Sequence, residues 1–249
     1  MNQIESRSAG PPPKAVRRMR KTLVLLLSCA AGAVDAASYI GLGHVFAANM
    51  TGNTVHLGMA VGHASPIDIG HSSSALLGFL LGVAAGAGIV ERDDSSAPWP
   101  RVVSVALLCE IVLLALTAAI WGAVGTKRAP STDGLLLTLG VAMGVQSVTV
   151  RRLRIPGVAS TYLTGTLTSL IAGLVRRASG RQAFAPEAPT HGSLLMAAVW
   201  LIYAGGAVIT TVAAPRGGPW ALALPMGLIA VVLAAADRDS TWPLRAASG

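Results

Sequence analysis

The sequence predicts an all-α membrane protein: a polytopic helical bundle of about eight hydrophobic segments, of which six to eight span the bilayer, with a weak internal two-fold repeat. Three observations predict this fold class. The chain of 249 residues is 53% hydrophobic and only 12% charged, about half the charged fraction of an ordinary soluble domain. Long stretches without charge recur along it. Glycines and polar residues stand at matching places in its two halves.

The first half begins after a basic, proline-containing stretch, residues 1–21, which we expect to form a disordered cytoplasmic tail. Four apolar segments are then predicted, at residues 22–42, 45–62, 73–90 and 102–124. The third of these carries Gly78, Gly82 and Gly86 at a spacing of four. That spacing is typical of membrane helices whose backbones approach closely.

The second half, residues 134–236, repeats this arrangement. Its segments are predicted at residues 134–150, 157–175, 192–212 and 220–236, and residues 237–249 form a short polar tail. With the first half, residues 22–124, it makes a single transmembrane domain. Gly140 and Gly144 give a second GxxxG face. Both glycine faces are candidate contacts either inside the monomer or in a homo-oligomer.

The number of true spans stays open between six and eight. Eight spans put thirteen of the nineteen basic residues on the cytoplasmic side. If the second and sixth segments are re-entrant, every basic residue except Lys127, Arg128 and Arg216 lies on the cytoplasmic side. The positive-inside rule favours this arrangement. The sixth segment nevertheless has 19 uncharged residues, enough to cross. Either arrangement predicts a multi-pass protein of the cell inner membrane with its N terminus in the cytoplasm.

The second segment, residues 45–62, is apolar at both ends and polar in its middle. On a helix, Asn49, Asn53 and His56 share one face because they stand at i, i+4 and i+7. Thr51 adds a hydroxyl beside them. A polar stripe at membrane depth has to face protein or water. These four side chains are therefore predicted to line a substrate-binding site.

Two acidic residues interrupt apolar segments: Asp35 in the first and Glu110 in the fourth. A carboxylate at the centre of a membrane helix costs about 2.5–3.5 kcal/mol on insertion, so by default it is functional or paired inside the bundle. Asp35 is predicted to belong to the substrate site and to bind its ion or proton. Asp35, His56 and Glu110 are candidates for a proton relay. For Glu110, a hydrogen bond to a polar residue of the second half is an equally open interpretation.

The second half supplies matching polar residues. Gln146 has the position in the fifth segment that corresponds to Asp35 in the first. Thr164 and Thr166 lie in the part of the sixth segment that corresponds to Met-Thr-Gly-Asn in the second. These three residues complete the predicted substrate-binding site. Repeated halves with polar, glycine-interrupted segments at matching places are the usual sequence pointer to a transporter site between them.

Two motifs also carry a family resemblance. The first comprises Asp35-Ala36, Phe46 and Asn49-Met50-Thr51-Gly52-Asn53, and the second comprises Gly144-Val145-Gln146, Arg151-Arg152 and Thr164-Gly165. They resemble the signature of the YoaK-type bacterial membrane proteins, a family of unknown function, and the match covers roughly residues 20–236. Ser147 departs from the second motif. The resemblance implies a bacterial inner-membrane protein of about this size and implies no substrate.

We predict a secondary transporter or channel for a small polar solute, because Asn, Thr and Gln side chains offer both donors and acceptors. The alternative is a non-transporting assembly or sensory protein in which the same residues are interhelical hydrogen-bond contacts. An enzyme is not predicted, and neither a metal nor another cofactor, since His44, His56 and His63 stand at no known ligand or catalytic spacing. The net charge of +8 comes from membrane flanks, so the predicted partner is the lipid bilayer and not nucleic acid.

Overall fold

The computed structural model describes residues 14–93, 99–126, 129–153, 171, 175 and 190–240. Seven α-helices have both ends among these residues: α1 Lys14–Gly41, α2 Met50–Gly62, α3 Pro66–Val90, α4 Arg101–Val124, α5 Ala129–Arg152, α6 Thr190–Ala213 and α7 Ala223–Ser240. A short 3-10 turn, Pro219–Leu222, leads into α7. The predicted sixth segment, with Thr164 and Thr166, lies outside the described residues except at positions 171 and 175.

Six of these helices are long and apolar enough to cross a bilayer. The candidate spans are Arg17–Gly41, Pro66–Val90, Arg101–Val124, Ser131–Arg152, Leu195–Ala213 and Pro219–Ala236, the last of which includes the 3-10 turn. The predicted class, a polytopic helical membrane protein, is thereby confirmed.

Several boundaries differ from the prediction. The third segment begins at Pro66 rather than at residue 73, and the fifth begins at Ala129 rather than at residue 134. The helix of the second segment begins at Met50 rather than at residue 45, and its 13 residues extend about 20 Å, short of the roughly 30 Å hydrocarbon core. Residues 14–21, predicted as part of a disordered tail, form the first two turns of α1. Lysine and arginine are good helix formers, and their long stems can lie along apolar surface.

Glycine lets α3 and α5 lie in backbone contact. A Cβ atom added to Gly78 would lie 2.2 Å from the carbonyl oxygen of Leu137, and one added to Gly82 would lie 2.1 Å from that of Val141. In return, a Cβ on Gly144 would lie 2.3 Å from the carbonyl oxygen of Phe79. The contacts advance along both helices together, so α3 and α5 run in parallel. Both predicted GxxxG faces are thus buried against each other within one chain, as in the first of the two alternatives, a contact inside the monomer.

The helices α1 and α6 cross in the same way. A Cβ on Gly32 would lie 2.0 Å from the carbonyl oxygen of Tyr203, and one on Gly206 would lie 2.1 Å from that of Cys29. The central spans are α1 and α5, with 72% and 61% of their most apolar stretches buried, against 22–33% in the other four spans. Around them, α4 packs on α5 and α7 packs on α1.

The two ends of the bundle differ in charge. At one end, the side chain of Arg20 donates to the carbonyl oxygen of Leu153, and that of Arg152 donates to the carbonyl oxygen of Asp93 at 2.6 Å. This end is termed the basic end, since it also carries Arg17, Arg18, Lys21, Arg92, Arg101 and Arg151. At the opposite end, where Trp121 of α4 and residues 217–218 meet the end of α1, Arg216 is the single basic residue in the described part of the chain.

Candidate functional site

After α1 the chain turns back into the bundle. Residues 42–49, here termed the return loop, connect α1 to α2 without regular structure. Gly43 and His44 both have positive φ, 82° and 60°. Glycine adopts this conformation freely, whereas it is uncommon for histidine. This pair of residues makes the sharp reversal that brings the following backbone beside α1.

Asp35 fixes the return loop from the α1 side. Its Oδ1 accepts hydrogen bonds from the backbone N–H of Ala47 at 2.8 Å and of Ala48 at 2.6 Å. Its Oδ2 accepts a hydrogen bond from the hydroxyl of Tyr203 on α6. The side chain is only 3% exposed. Both carboxylate oxygens are therefore occupied by donors, and one buried side chain joins α1, the return loop and α6.

Asn53 fixes the return loop from the α2 side. Its Oδ1 accepts from the N–H of Phe46 at 2.9 Å, and its Nδ2 donates to the carbonyl oxygen of Phe46 at 2.6 Å. The amide thus pairs with both polar groups of one peptide residue, as a neighbouring strand would. Asn49 has a different role: it is the N-cap of α2, and its Oδ1 accepts from the N–H of Gly52 at 3.2 Å.

His56 lies against aromatic rings and Thr51 lies outside them. The ring of Tyr39 stacks on that of Phe46 with 4.9 Å between centroids, and His56 meets the two rings edge-on at 6.3 and 6.1 Å. His44 also contacts the ring of Tyr39 edge-on, with 5.1 Å between the centroids. Thr51 is exposed in the first turn of α2. Of the four predicted polar residues, Asn53 and His56 therefore face inward.

A second polar group lies between α4 and α5. Gln146 donates from Nε2 to Oε1 of Glu110 at 2.8 Å. Glu110 is 0% exposed and Gln146 is 3% exposed. The other oxygen of Glu110, Oε2, is buried and has no hydrogen-bond partner among the described residues. Further along the same two helices, Thr117 donates to the hydroxyl of Thr138 at 3.0 Å.

A third polar contact joins α3 and α5 at the end of the bundle opposite the basic end. Nδ1 of His71 and Oδ1 of Asp133 are 2.6 Å apart, and the ring of His71 lies directly against Gly43 of the return loop. This pair was not predicted, because the two residues are separated by 62 positions and stand near the predicted ends of their segments.

The predicted site residues thus fall into two groups that share no hydrogen bond within the described residues. Asp35 and Asn53 hold the return loop, whereas Gln146 pairs with Glu110. Tyr203 was not predicted as a site residue, although its hydroxyl, a polar group in the middle of an apolar segment, was a usable signal. Among the residues that the structure describes, no three His, Cys, Asp or Glu side chains converge as metal ligands.

A family model for a protein of unknown function, DUF1275, matches residues 23–235. The chain belongs to this family. The UPF0700 transmembrane protein YoaK of Bacillus subtilis (strain 168) is 36% identical to it over 213 residues, which are 84% of this chain and 91% of the relative. The resemblance found in the sequence is therefore confirmed. No solved structure matches the chain.

In this DUF1275 member, the motif residues have identifiable structural roles. The Asn-Met-Thr-Gly-Asn stretch starts α2 and pairs with the return loop, and the Asp35 upstream of it holds the same loop. In the second motif, Gly144 lies in the helix crossing and Gln146 contacts Glu110. The arginines at 151 and 152 lie at the basic end.

Proposed function

We propose that this DUF1275 protein is a secondary transporter of a small polar solute in the inner (cytoplasmic) membrane. The observation that carries the proposal is the interrupted segment formed by the return loop and α2. Its backbone reaches Asp35, more than a turn inside the span of α1, and α2 is too short to cross. Non-helical backbone at membrane depth is tolerated only where protein buries it or where it lines a cavity. Interrupted helices of this kind form the binding sites of secondary transporters.

A two-fold relation between the halves supports the proposal. In the crossing of α1 and α6, a Cβ added to Gly32 would contact the carbonyl oxygen of Tyr203. A Cβ added to Gly206, three residues after Tyr203, would contact the carbonyl oxygen of Cys29, three residues before Gly32. The α5–α3 crossing has the same offsets, through Gly144 with Phe79 and Gly82 with Val141. Each half contributes three candidate spans among the described residues. An odd number of spans in each half gives an inverted repeat, as in several transporter folds.

Charge supports an orientation with the basic end in the cytoplasm. The described residues place at least eight arginine or lysine side chains at the basic end and Arg216 alone at the opposite end. Cytoplasmic loops carry the excess of basic residues in membrane proteins. The N terminus would then be cytoplasmic, and the return loop and α2 would lie toward the outer face.

The polar groups favour an uncharged or weakly charged solute. Around the return loop they are carboxylate, amide, hydroxyl and imidazole groups, which together offer donors and acceptors. In the described spans, Arg and Lys side chains occur only near the basic end. A strongly anionic solute would therefore find no cationic partner beside Asp35.

A non-transporting assembly or sensory role is the second candidate, and one observation favours it. The oxygens of Asp35 and both polar atoms of the Asn53 amide are paired within the chain. Such contacts stabilise a fold whether or not a solute binds. Interhelical hydrogen bonds in membranes contribute about 0.6 kcal/mol on average.

Flux measurements in proteoliposomes separate the two candidates. Wild-type protein is compared with Asp35→Asn and with Thr54→Ala, a control at an exposed position of α2, against a panel of neutral and weakly charged polar solutes. Transport predicts flux that Asp35→Asn lowers strongly and Thr54→Ala leaves unchanged, with both variants folded by circular dichroism. Absence of flux for folded wild-type protein, combined with a lower unfolding temperature for Asp35→Asn, would support the structural role instead.

A further inference from the structure

Glu110 differs from every other carboxyl group in the described spans. It is 0% exposed in the interior of α4, and only one of its two oxygens has a hydrogen-bond partner. Asp35, by contrast, has donors on both oxygens. Asp133 has its Oδ1 2.6 Å from Nδ1 of His71. Within the described part of the chain, Glu110 therefore has an unused oxygen and no cationic side chain that pairs with it.

A charge at this position would be expensive. Ionisable residues inside membrane spans are rare, and they are usually paired or face water. Burial of an ionised carboxylate without a partner is avoided in proteins, commonly because the group takes up a proton. A positively charged ligand bound to the free oxygen of Glu110 would neutralise the carboxylate in its buried position.

The geometry identifies the smallest such ligand. Calcium takes about six to eight oxygen ligands, and magnesium needs about six in octahedral geometry. Here the only hydrogen-bond partner of Glu110 among the described residues is the amide of Gln146, and no group of three acidic, His or Cys side chains is present there. A proton needs only one oxygen. Because Nε2 of Gln146 donates to Oε1, the proton has its place on Oε2.

We propose that Glu110 is a proton-binding site and that Gln146 is the residue that positions its carboxyl group. The site lies between a helix of the first half and a helix of the second half. If the proposed transport function is correct, the proton on Glu110 is the coupling ion, and Asp35 holds the return loop instead of carrying the proton. The binding of the proton itself does not depend on the transport function.

Labelling with dicyclohexylcarbodiimide tests for the proton. This apolar reagent adds to a protonated carboxyl: the carboxyl proton moves to a reagent nitrogen, an oxygen bonds to the central carbon, and rearrangement gives a stable N-acylurea that retains every atom of both reactants. We expect peptide mass spectrometry of the full-length protein in detergent to find the adduct at Glu110. Glu110→Gln should abolish it, while Glu91→Gln, at an exposed carboxyl, should leave it unchanged.

Infrared spectroscopy tests the same proton without a reagent. The wild-type minus Glu110→Gln difference spectrum should contain the carbonyl band of a protonated carboxyl near neutral pH. A carboxylate band in its place, or no adduct at Glu110 in a folded protein whose infrared spectrum shows no protonated carboxyl, would overturn the proposal.

Proton flux in proteoliposomes then separates this inference from the proposed function. An adduct at Glu110 without any solute or proton flux leaves the proton site standing and contradicts transport. Flux that survives in Glu110→Gln places the coupling ion elsewhere, and this outcome overturns the coupling role of Glu110. Loss of proton-driven flux in that variant, with solute exchange retained, is the expected result.

Discussion

The crossing of α1 and α6 gives the sharpest test of the fold, because two adjacent glycines differ completely in their surroundings. A Cβ added to Gly206 would lie 2.1 Å from the carbonyl oxygen of Cys29, whereas one added to Gly205 would meet nothing within 4 Å. Gly206→Ala and Gly205→Ala therefore add the same methyl group to neighbouring positions of one helix. Only the first should change how the two helices pack.

The distances set the size of the expected effect. Ordinary contact begins near 3.4 Å, so alanine at position 206 requires α1 and α6 to separate by about 1.3 Å. Overpacking of this kind costs about 1–3 kcal/mol, and the nearby bond between Tyr203 and Asp35 would lengthen too. Replacing glycine by alanine inside a helix favours the helix by about 1 kcal/mol, which applies to both variants. The helix gain cancels between the two variants, so their unfolding free energies should differ by about 1–3 kcal/mol, with Gly205→Ala the more stable.

Equilibrium unfolding by sodium dodecyl sulfate in mixed micelles, followed by tryptophan fluorescence and circular dichroism, measures both free energies. Matched transitions with the same cooperativity are needed for the comparison. If the two variants unfold with free energies within about 0.5 kcal/mol of each other, the range of an ordinary surface substitution, α1 and α6 do not cross at Gly206 and the reasoning fails.

Two other substitutions test the contacts of the return loop. Tyr203→Phe removes the hydroxyl that donates to Asp35 and keeps the ring; the unfolding free energy should fall by about 0.6–1.7 kcal/mol, and an unchanged value would mean that the hydrogen bond is absent. Asn53→Ala leaves the N–H and C=O of Phe46 without partners, at about 1–3 kcal/mol for each group, and should make the return loop more sensitive to limited proteolysis. Thr54→Ala, at an exposed position, serves as its control and should match the wild type.

Much of the bundle could be predicted from local sequence. Six spans and the glycine faces of α3 and α5 follow from hydrophobicity and from the spacing of Gly78, Gly82 and Gly144. These features are local, since each depends on residues within one helix. The choice between six and eight spans was harder because the uncharged sixth segment, residues 157–175, is long enough to cross. In the structure, the second segment contains a short helix capped by Asn49, whereas a longer helix was predicted.

The site could be predicted less well because its contacts are made by backbone and by distant residues. The spacing of Asn49, Asn53 and His56 predicted that they share one helical face. Because an N-cap residue has nearly the same angular position around the helix axis as a residue within the helix, the spacing did not distinguish the two. The partners of Asp35 are N–H groups 12 and 13 residues away and a hydroxyl 168 residues away. The sequence marks that Asp35 needs a partner, and only the folded chain determines which one. The same holds for Glu110, for which a polar partner in the second half was one of two open interpretations.

The contacts between helices also differ in whether they can rearrange. At the glycine crossings, backbone packs directly on backbone, with no room even for a Cβ atom at Gly82 or Gly206, so sliding would first require the helices to separate. Between α4 and α5 the polar contacts are side chain to side chain, Glu110 with Gln146 and Thr117 with Thr138, and these can break and re-form. We infer that α3 and α5 move as one rigid pair and that α4 shifts against this pair at the contact of Glu110 with Gln146. Glu110→Gln, which can still hydrogen bond to Gln146, should then unfold like the wild type in the same assay that detects Gly206→Ala. A large loss of stability in Glu110→Gln would place Glu110 among the rigid contacts.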